Sequence, residues 1–289
     1  MSKEQIAFLG LGTMGFGMAS RLVDAGFPVA VYNRSAEKGD SLRAKGARVA
    51  TSPADAARGS RLVISMVADD AASRLLWTGE NGALAAADAG AVLMECSTLS
   101  VGWISELAAL ATKVGCWLID APVTGSRVHA ASGELTFLVG GDSKAVERAD
   151  AAFAAMGKGV VRLGPVGSGA QMKLINNFIC GVQAASLAET LAWIERSGLD
   201  VSAATNVLLN GAPGSPLVKT LAQRMTSRDY SINFVLKLML KDLQYATHEA
   251  QSHALNLETG RSAIKLFEEA CRHGEEDQDM SAVVEQFRK

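Results

Sequence analysis

Short apolar runs recur along the first half of the chain, at 6–9, 29–32, 62–67, 92–96, 117–120 and 135–139, with a last one at 160–163. Runs of four to six apolar residues, many of them β-branched, suit strands buried on both faces rather than strands with one wet side. Between them lie Ala-rich stretches with helical spacing, including 18–25, 101–114 and 143–156. Strand alternating with helix predicts βαβ units and a parallel sheet.

After Gly164-Pro165-Val166-Gly167-Ser168-Gly169 the strand signals stop, and the rest of the chain reads as helix. This turn-rich stretch predicts a boundary, with one domain over 1–166 and an all-helical one over 167–289. The segment 170–196 contains no Pro and a single Gly, Gly181, which predicts one helix of roughly 40 Å at 1.5 Å per residue. Lys173, Asn176, Asn177, Gln183 and Glu189 make it too polar to span a membrane; a buried helix between domains or subunits is expected. Shorter helices are predicted at 201–209, 217–225, 235–254, 260–272 and 280–287. No repeat or low-complexity tract is present.

Composition narrows the function classes. With 289 residues, 48% hydrophobic and 20% charged, the chain is long enough for two ordinary domains and has a globular profile. The 28 Lys and Arg against 30 Asp and Glu leave a formal charge of −2, which disfavours a nucleic-acid partner. Cys96, Cys116, Cys180 and Cys271 form no CxxC pair and have no His-rich neighbourhood, so neither a zinc site nor a disulfide framework is expected. The polar start, Met1 to Gln5, leads straight into the first strand. No secretory signal is read there, and a cytoplasmic protein is expected.

Gly10-Leu11-Gly12-Thr13-Met14-Gly15 follows the first strand directly and opens the first helix. A GxGxxG in this strand-turn-helix context is the dinucleotide fingerprint: the glycines permit the turn and close backbone approach, and the helix N-terminus offers N–H groups to a pyrophosphate. The expected fold is therefore α/β, an N-terminal Rossmann-type doubly wound parallel sheet followed by an all-α C-terminal domain with a long interdomain helix. After the second strand, where an NAD site usually carries Asp or Glu, the chain reads Asn33-Arg34-Ser35. Asn33 keeps a hydrogen-bonding role, Arg34 can pair with a 2′-phosphate and Ser35 can add a hydroxyl, which favours NADP(H) with NAD(H) still open.

Three further places carry candidate chemistry. Thr124, Gly125 and Ser126 follow the strand that ends at Asp120, at the carboxyl end of the sheet, where hydroxyls and backbone N–H groups can hold a carboxylate; a plain turn is the alternative. Lys173 is the only basic residue between Leu163 and Arg196, and it shares a helix face with Asn177. An amine in apolar surroundings is costly to bury without a task. Lys173 can give a proton to the oxygen formed when hydride reaches a carbonyl carbon, or remove it in reverse, with Asn177 orienting amine or substrate. Finally, Phe234 and the pair Lys241-Asp242 lie on or near a later helix, where Lys241 could reach the cofactor or the substrate carboxylate and Asp242 could orient it or cap local charge; such a pair, taken alone, usually marks a solvated face.

Together these motifs resemble the β-hydroxyacid dehydrogenase family, which includes 3-hydroxyisobutyrate dehydrogenases, tartronate semialdehyde reductases and glyoxylate/succinic semialdehyde reductases. The resemblance covers nearly the whole chain and rests on GLGTMGFGMASRL from Gly10, DAPVTGSRVHAASGEL from Asp120, GSGAQMKLINN from Gly167 and LKLMLKDLQYA from Leu236. It implies that Lys173 is the catalytic acid/base supported by Asn177, and that Thr124, Gly125 and Ser126 line the substrate site with them. It also implies that Lys241 contacts the cofactor with Phe234 beside it, and that further cofactor contacts come from Leu11, Gly12, Thr13 and Met14, from Val67 and Ala68, and from Thr98. A homodimer or homotetramer packed around the long helix is implied, with the active site between the two domains. The sequence departs from the family at Thr124, usually Ser, and at Ser126-Arg127, usually Gly and a small or polar residue, so the roles of Arg127 and His129 bear on substrate choice. Three readings compete. One is an NADPH-dependent imine reductase, whose members usually lack the lysine; the second is a phosphogluconate dehydrogenase, which shares the Arg after the second strand and a K-x-x-x-N helix but has a much longer C-terminal region and should demand more basic residues. The third is a non-catalytic NADP-binding scaffold, which would be marked by loss of Lys173 or of the loop hydroxyl.

Overall fold

The computed structural model describes residues 3–288. Nine strands form one sheet among them: β1 (Ile6–Leu9), β2 (Val29–Tyr32), β3 (Arg48–Val49), β4 (Leu62–Ser65), β5 (Val92–Glu95), β6 (Trp117–Asp120), β7 (Val123–Thr124), β8 (Leu135–Gly141) and β9 (Gly157–Gly164). The sheet order is β3-β2-β1-β4-β5-β6-β8-β7, with β9 paired to β8. The first six run parallel, in the order of a dinucleotide-binding sheet whose strand direction of progression reverses between β1 and β4. The parallel sheet expected from sequence is thus mixed at one end, where β8 runs antiparallel to β6 and β7.

Helices occupy the connections: α1 (Gly15–Asp24), α2 (Asp40–Ala44), α3 (Pro53–Ala57), α4 (Asp70–Thr78), α5 (Val101–Lys113), α6 (Arg127–Ser132), α7 (Ser143–Arg148) and α8 (Asp150–Met156). They are followed by α9 (Ser168–Arg196), α10 (Val201–Asn210), α11 (Pro216–Ser227), α12 (Leu236–Ser252) and α13 (Glu258–Arg272). The helix expected over 143–156 is two, α7 and α8, meeting at Ala149. The last expected helix winds as a 3-10 segment, Met280–Phe287. The sequence pattern names neither the nine-residue α4 nor the short elements β3, β7, α2, α3 and α6. The short ones have six residues or fewer, too few for a period to declare itself.

The chain divides into two compact units, one ending at Lys173 and the other beginning at Leu174, so the division falls inside the unbroken helix α9. In the first unit the strands feed two layers. Along β1, Ile6 and Phe8 face one layer, with Met18 and Leu22 of α1 and Phe153 of α8. Ala7 and Leu9 face the other, with Trp77 of α4 and Trp103 and Leu107 of α5. Side chains that alternate between two covered faces explain why these strands are apolar at every position. The second unit has its own core, in which Leu187 and Leu191 of α9 pack with Leu221, Met239, Leu243 and Phe267. All four cysteines are free thiols. Among the described residues no helix is long and apolar enough to cross a membrane.

Candidate active site

In the first unit the loop after β1 is shaped by what its glycines lack. Gly10 has φ +100, and a Cβ there would lie 2.3 Å from the Met66 carbonyl oxygen. A Cβ on Gly15 would lie 2.0 Å from the Gly10 carbonyl oxygen, so the start of α1 packs directly on the backbone of the loop that leaves β1. Gly12 faces open space, with nothing within 4 Å of its missing side chain. Backbone donors at a helix N-terminus with clear approach fit a pyrophosphate, and thereby the dinucleotide that the motif implies.

Asn33 holds this loop in place. Its Oδ1 accepts the backbone N–H of Leu11 at 2.9 Å, and its Nδ2 donates to the Ser35 carbonyl at 3.0 Å. The hydrogen-bonding role expected of this side chain in the cofactor site is thus seen here in ordering the phosphate loop. Arg34 is exposed beside it, and Ser35 precedes a 3-10 turn without capping it.

The loops after β4 and β5 are tied together by groups the sequence reading passed over. The Val67 backbone N–H donates to Ser97 Oγ at 2.7 Å, and the Ser97 N–H donates to Glu95 Oε1 at 2.9 Å. Glu95 is fully buried, and its Oε2 accepts from Ser73 Oγ and Trp77 Nε1. Trp103 Nε1 donates in turn to Ser73 Oγ. Donors from α4 and the loop, backed by Trp103 of α5 through Ser73, thus compensate a carboxylate in the core. This network flanks Val67, Ala68 and Thr98; its one trace in the sequence is an acid ending an apolar strand.

Thr124 is half-buried and paired with Thr136 in the ladder of β7 and β8. Ser126 caps α6 reciprocally with His129: its N–H donates to His129 Nδ1 at 3.1 Å, and its Oγ lies 2.9 Å from the same nitrogen. The Ser126 backbone donor, one of those expected to hold a carboxylate, is taken up inside the loop. His129 is half-buried against Ser126, while Arg127 is exposed.

In the second unit the polar chemistry rests on side chains instead. Asn177 is 2% exposed, and its Nδ2 donates to Asp242 Oδ2 at 2.6 Å. Asp242, on α12, is 1% exposed, and Lys241 Nζ stands 3.0 Å from its other oxygen and 5.1 Å from the Tyr245 ring centre. The Lys241-Asp242 pair is therefore no solvated face, because Asp242 points inward to anchor Asn177. Phe234 is half-buried, and its N–H and that of Asn233 both donate to the buried Asp279 at 2.9 Å. Asp279 also meets Arg224 Nε at 3.2 Å. Lys173, the last residue of the first unit, is 8% exposed and stands one turn before Asn177 on α9. Among the described residues no group of His, Cys, Asp or Glu is arranged to hold a metal ion.

Two family models match the chain: the NAD-binding domain of 6-phosphogluconate dehydrogenase over residues 5–164, and the NAD-binding domain of NADP-dependent 3-hydroxyisobutyrate dehydrogenase over residues 167–287. An NAD-dependent L-serine dehydrogenase of Pseudomonas aeruginosa is 35% identical, over 98% of this chain and 98% of that protein. Glyoxylate/succinic semialdehyde reductase 1 of Arabidopsis thaliana is 33% identical over 97% of each. A 3-hydroxyisobutyrate dehydrogenase of Mycobacterium tuberculosis, solved with L-serine, superposes with a TM-score of 0.90 at 29% identity, covering 99% of this chain and 100% of that one.

Proposed function

The chain belongs to the β-hydroxyacid dehydrogenase family and is an NAD(P)-dependent oxidoreductase acting on a CH–OH group, and on that premise we propose that it interconverts a small semialdehyde or glyoxylate-like acid and its hydroxy acid, with Lys173 as the proton donor and acceptor. The observation that carries the reading is a buried lysine one helical turn from a buried Asn177 that Asp242 anchors. An amine held in that setting can protonate the oxygen of a carbonyl as its carbon is reduced, and can take the proton back in oxidation. The nicotinamide, when bound, supplies or accepts the hydride. Asn177 orients amine or substrate, and Thr124 with the backbone around Gly125 receives the substrate carboxylate. The lysine and the loop hydroxyl favour a C=O substrate over an imine and an active enzyme over a scaffold.

NADP(H) is the proposed cofactor. Arg34 is exposed where a 2′-phosphate would lie, and no acid stands at the end of β2 to receive a ribose hydroxyl. The relative named as NAD-dependent makes this a property to be measured on the chain itself. A homodimer or homotetramer in the cytoplasm is also proposed. Apolar Val and Leu residues recur along α10, yet it buries none of its residues, and Val207 on it is 71% exposed. Trp193 on α9 is 78% exposed. Surfaces of this kind are covered in an assembled protein.

The test is initial-rate oxidation of NADPH and NADH with glyoxylate, succinic semialdehyde, tartronate semialdehyde and methylmalonate semialdehyde, with L-serine in the oxidative direction and Lys173→Ala alongside. Lysine-dependent turnover with NADPH is expected on one of them. Tight NADPH binding with turnover on none would shift the reading to an imine substrate or a scaffold.

A further inference from the structure

The roles above leave Asp120 unused, although it is a wholly buried carboxylate at the meeting of two functional segments. It ends β6, directly before the segment that carries Thr124 and Ser126. Its Oδ1 accepts the backbone N–H of Gly167 at 2.8 Å, and its Oδ2 accepts that of Ala170 at 2.7 Å. These amides belong to the start of α9, where N–H groups have no partner within the helix. Lys173 follows three residues after Ala170 on the same helix.

The carboxylate packs against backbone that only glycine leaves open to it. A Cβ on Gly140 would lie 2.5 Å from Oδ1, and a Cβ on Gly169 would lie 2.9 Å from Oδ2. Burial pushes the Asp120 carboxyl up to about 6, against the pull of the N–H groups of Gly167 and Ala170. Holding charge there is therefore unfavourable for stability, and a serine or asparagine could cap a helix without that cost. What a carboxylate adds is two rigid acceptors that fix two amides at once.

We propose that Asp120 is a positioning residue for the reaction: it pins the first turn of the Lys173 helix to the strand that delivers the substrate loop, and so sets the placement of the amine against the groups that receive substrate. The inference rests on the reading of Lys173 as the acid/base.

The experiment compares wild type, Asp120→Asn, Asp120→Ala and Lys173→Ala, measuring kcat, KM, NADPH affinity, thermal stability and the solvent deuterium isotope effect on kcat. Misplacement of a catalytic group by an ångström can lower the rate about 100-fold, so a fall of about 10-fold for Asp120→Asn and about 100-fold for Asp120→Ala is expected. KM and NADPH affinity should stay within about 3-fold, because the loss falls on the transition state. The solvent isotope effect should grow as proton transfer becomes slower, which a defect confined to folding would not produce. A kcat per folded site within about 3-fold of wild type for both Asp120 variants, or an unchanged isotope effect, overturns the inference. If Lys173→Ala keeps its turnover, the acid/base reading falls and takes this inference with it; if only the Asp120 variants keep theirs, this inference falls alone. Should the Asp120 variants not fold, amide exchange in wild type decides: slow exchange at Gly167 and Ala170 supports the pin, and exchange as fast as in an open turn overturns it.

Discussion

The phosphate loop of the first unit and the Asn177-Asp242-Lys241 cluster of the second are built on opposite principles. The loop works through backbone groups, and its side chains are conspicuous by omission: a Cβ on Gly10 or Gly15 would lie 2.3 or 2.0 Å from a carbonyl oxygen, a clash that glycine avoids, and Gly12 leaves its approach clear. The cluster works through polar side chains driven into a core, where Asn177 and Asp242 meet at 2.6 Å across 65 residues of sequence. A site made of backbone tolerates change at its edges but not in its glycines. A site made of buried side chains depends on each partner satisfying the next.

That contrast is open to attack, and the largest effect is expected in the cluster. Asp242→Ala leaves the Asn177 amide and the Lys241 ammonium without their shared carboxylate, and breaking a buried pair in this way should lower unfolding free energy by about 3–5 kcal/mol. Chemical denaturation at pH 7 measures it; a loss below about 1 kcal/mol, the scale of an exposed pair, would mean that the cluster behaves as surface.

Next in size is the pH response of Asp120 in the first unit. Its folded-state value of about 6 lies above its ordinary 3.8 because burial disfavours the charge. The folded state therefore holds the proton more tightly than the unfolded one. The stabilising contribution is complete below about pH 3.8 and is lost as pH rises through 6, a change of about 3 kcal/mol. The stability difference between wild type and Asp120→Asn should shrink across that window. A difference that is flat or that grows with pH would contradict the assignment.

Lys173→Ala should lower turnover roughly 100-fold or more, equivalent to about 2.7 kcal/mol in the barrier, with NADPH binding changed only a few-fold. Single-turnover rates with bound NADPH separate the two quantities, and an unaltered rate removes Lys173 from the chemistry. The smallest effect belongs to the edge of the backbone-built site. Arg34→Asp should move the NADPH to NADH preference by about tenfold toward NADH, through loss of one charge-assisted contact. An unmoved ratio would mean that Arg34 does not read the 2′-phosphate.

Legibility in the sequence follows the same division. The strand-turn-helix context of Gly10 to Gly15 identified the loop because conformational demands on glycine are local and repeat at fixed spacing. Lys173 was visible because a lone base in an apolar helix violates the hydrophobic pattern around it. Asp242 and Asp279 were not legible: an acid on a helix looks the same in sequence whether it faces water or anchors Asn177 or the Phe234 amide. Glu95 and Asp120 left a fainter trace, each being an acid at the end of an apolar strand. What each carboxylate grips comes from other segments, Trp77 and Ser97 for the first, Gly167 and Ala170 for the second.

By itself, then, the sequence determined the α/β alternation, the nucleotide loop, the long helix and the lysine on it, because each follows from periodicity or from a residue at odds with its neighbours. Only the tertiary structure decided that β8 runs antiparallel to β6, that Asn33 ties down the loop, that the Ser126 N–H is taken by His129, and that Asp120 caps the helix of Lys173. Those are pairings between distant segments, and a hydrogen bond or a buried charge is fixed by whichever group the fold brings within reach, which no local pattern records.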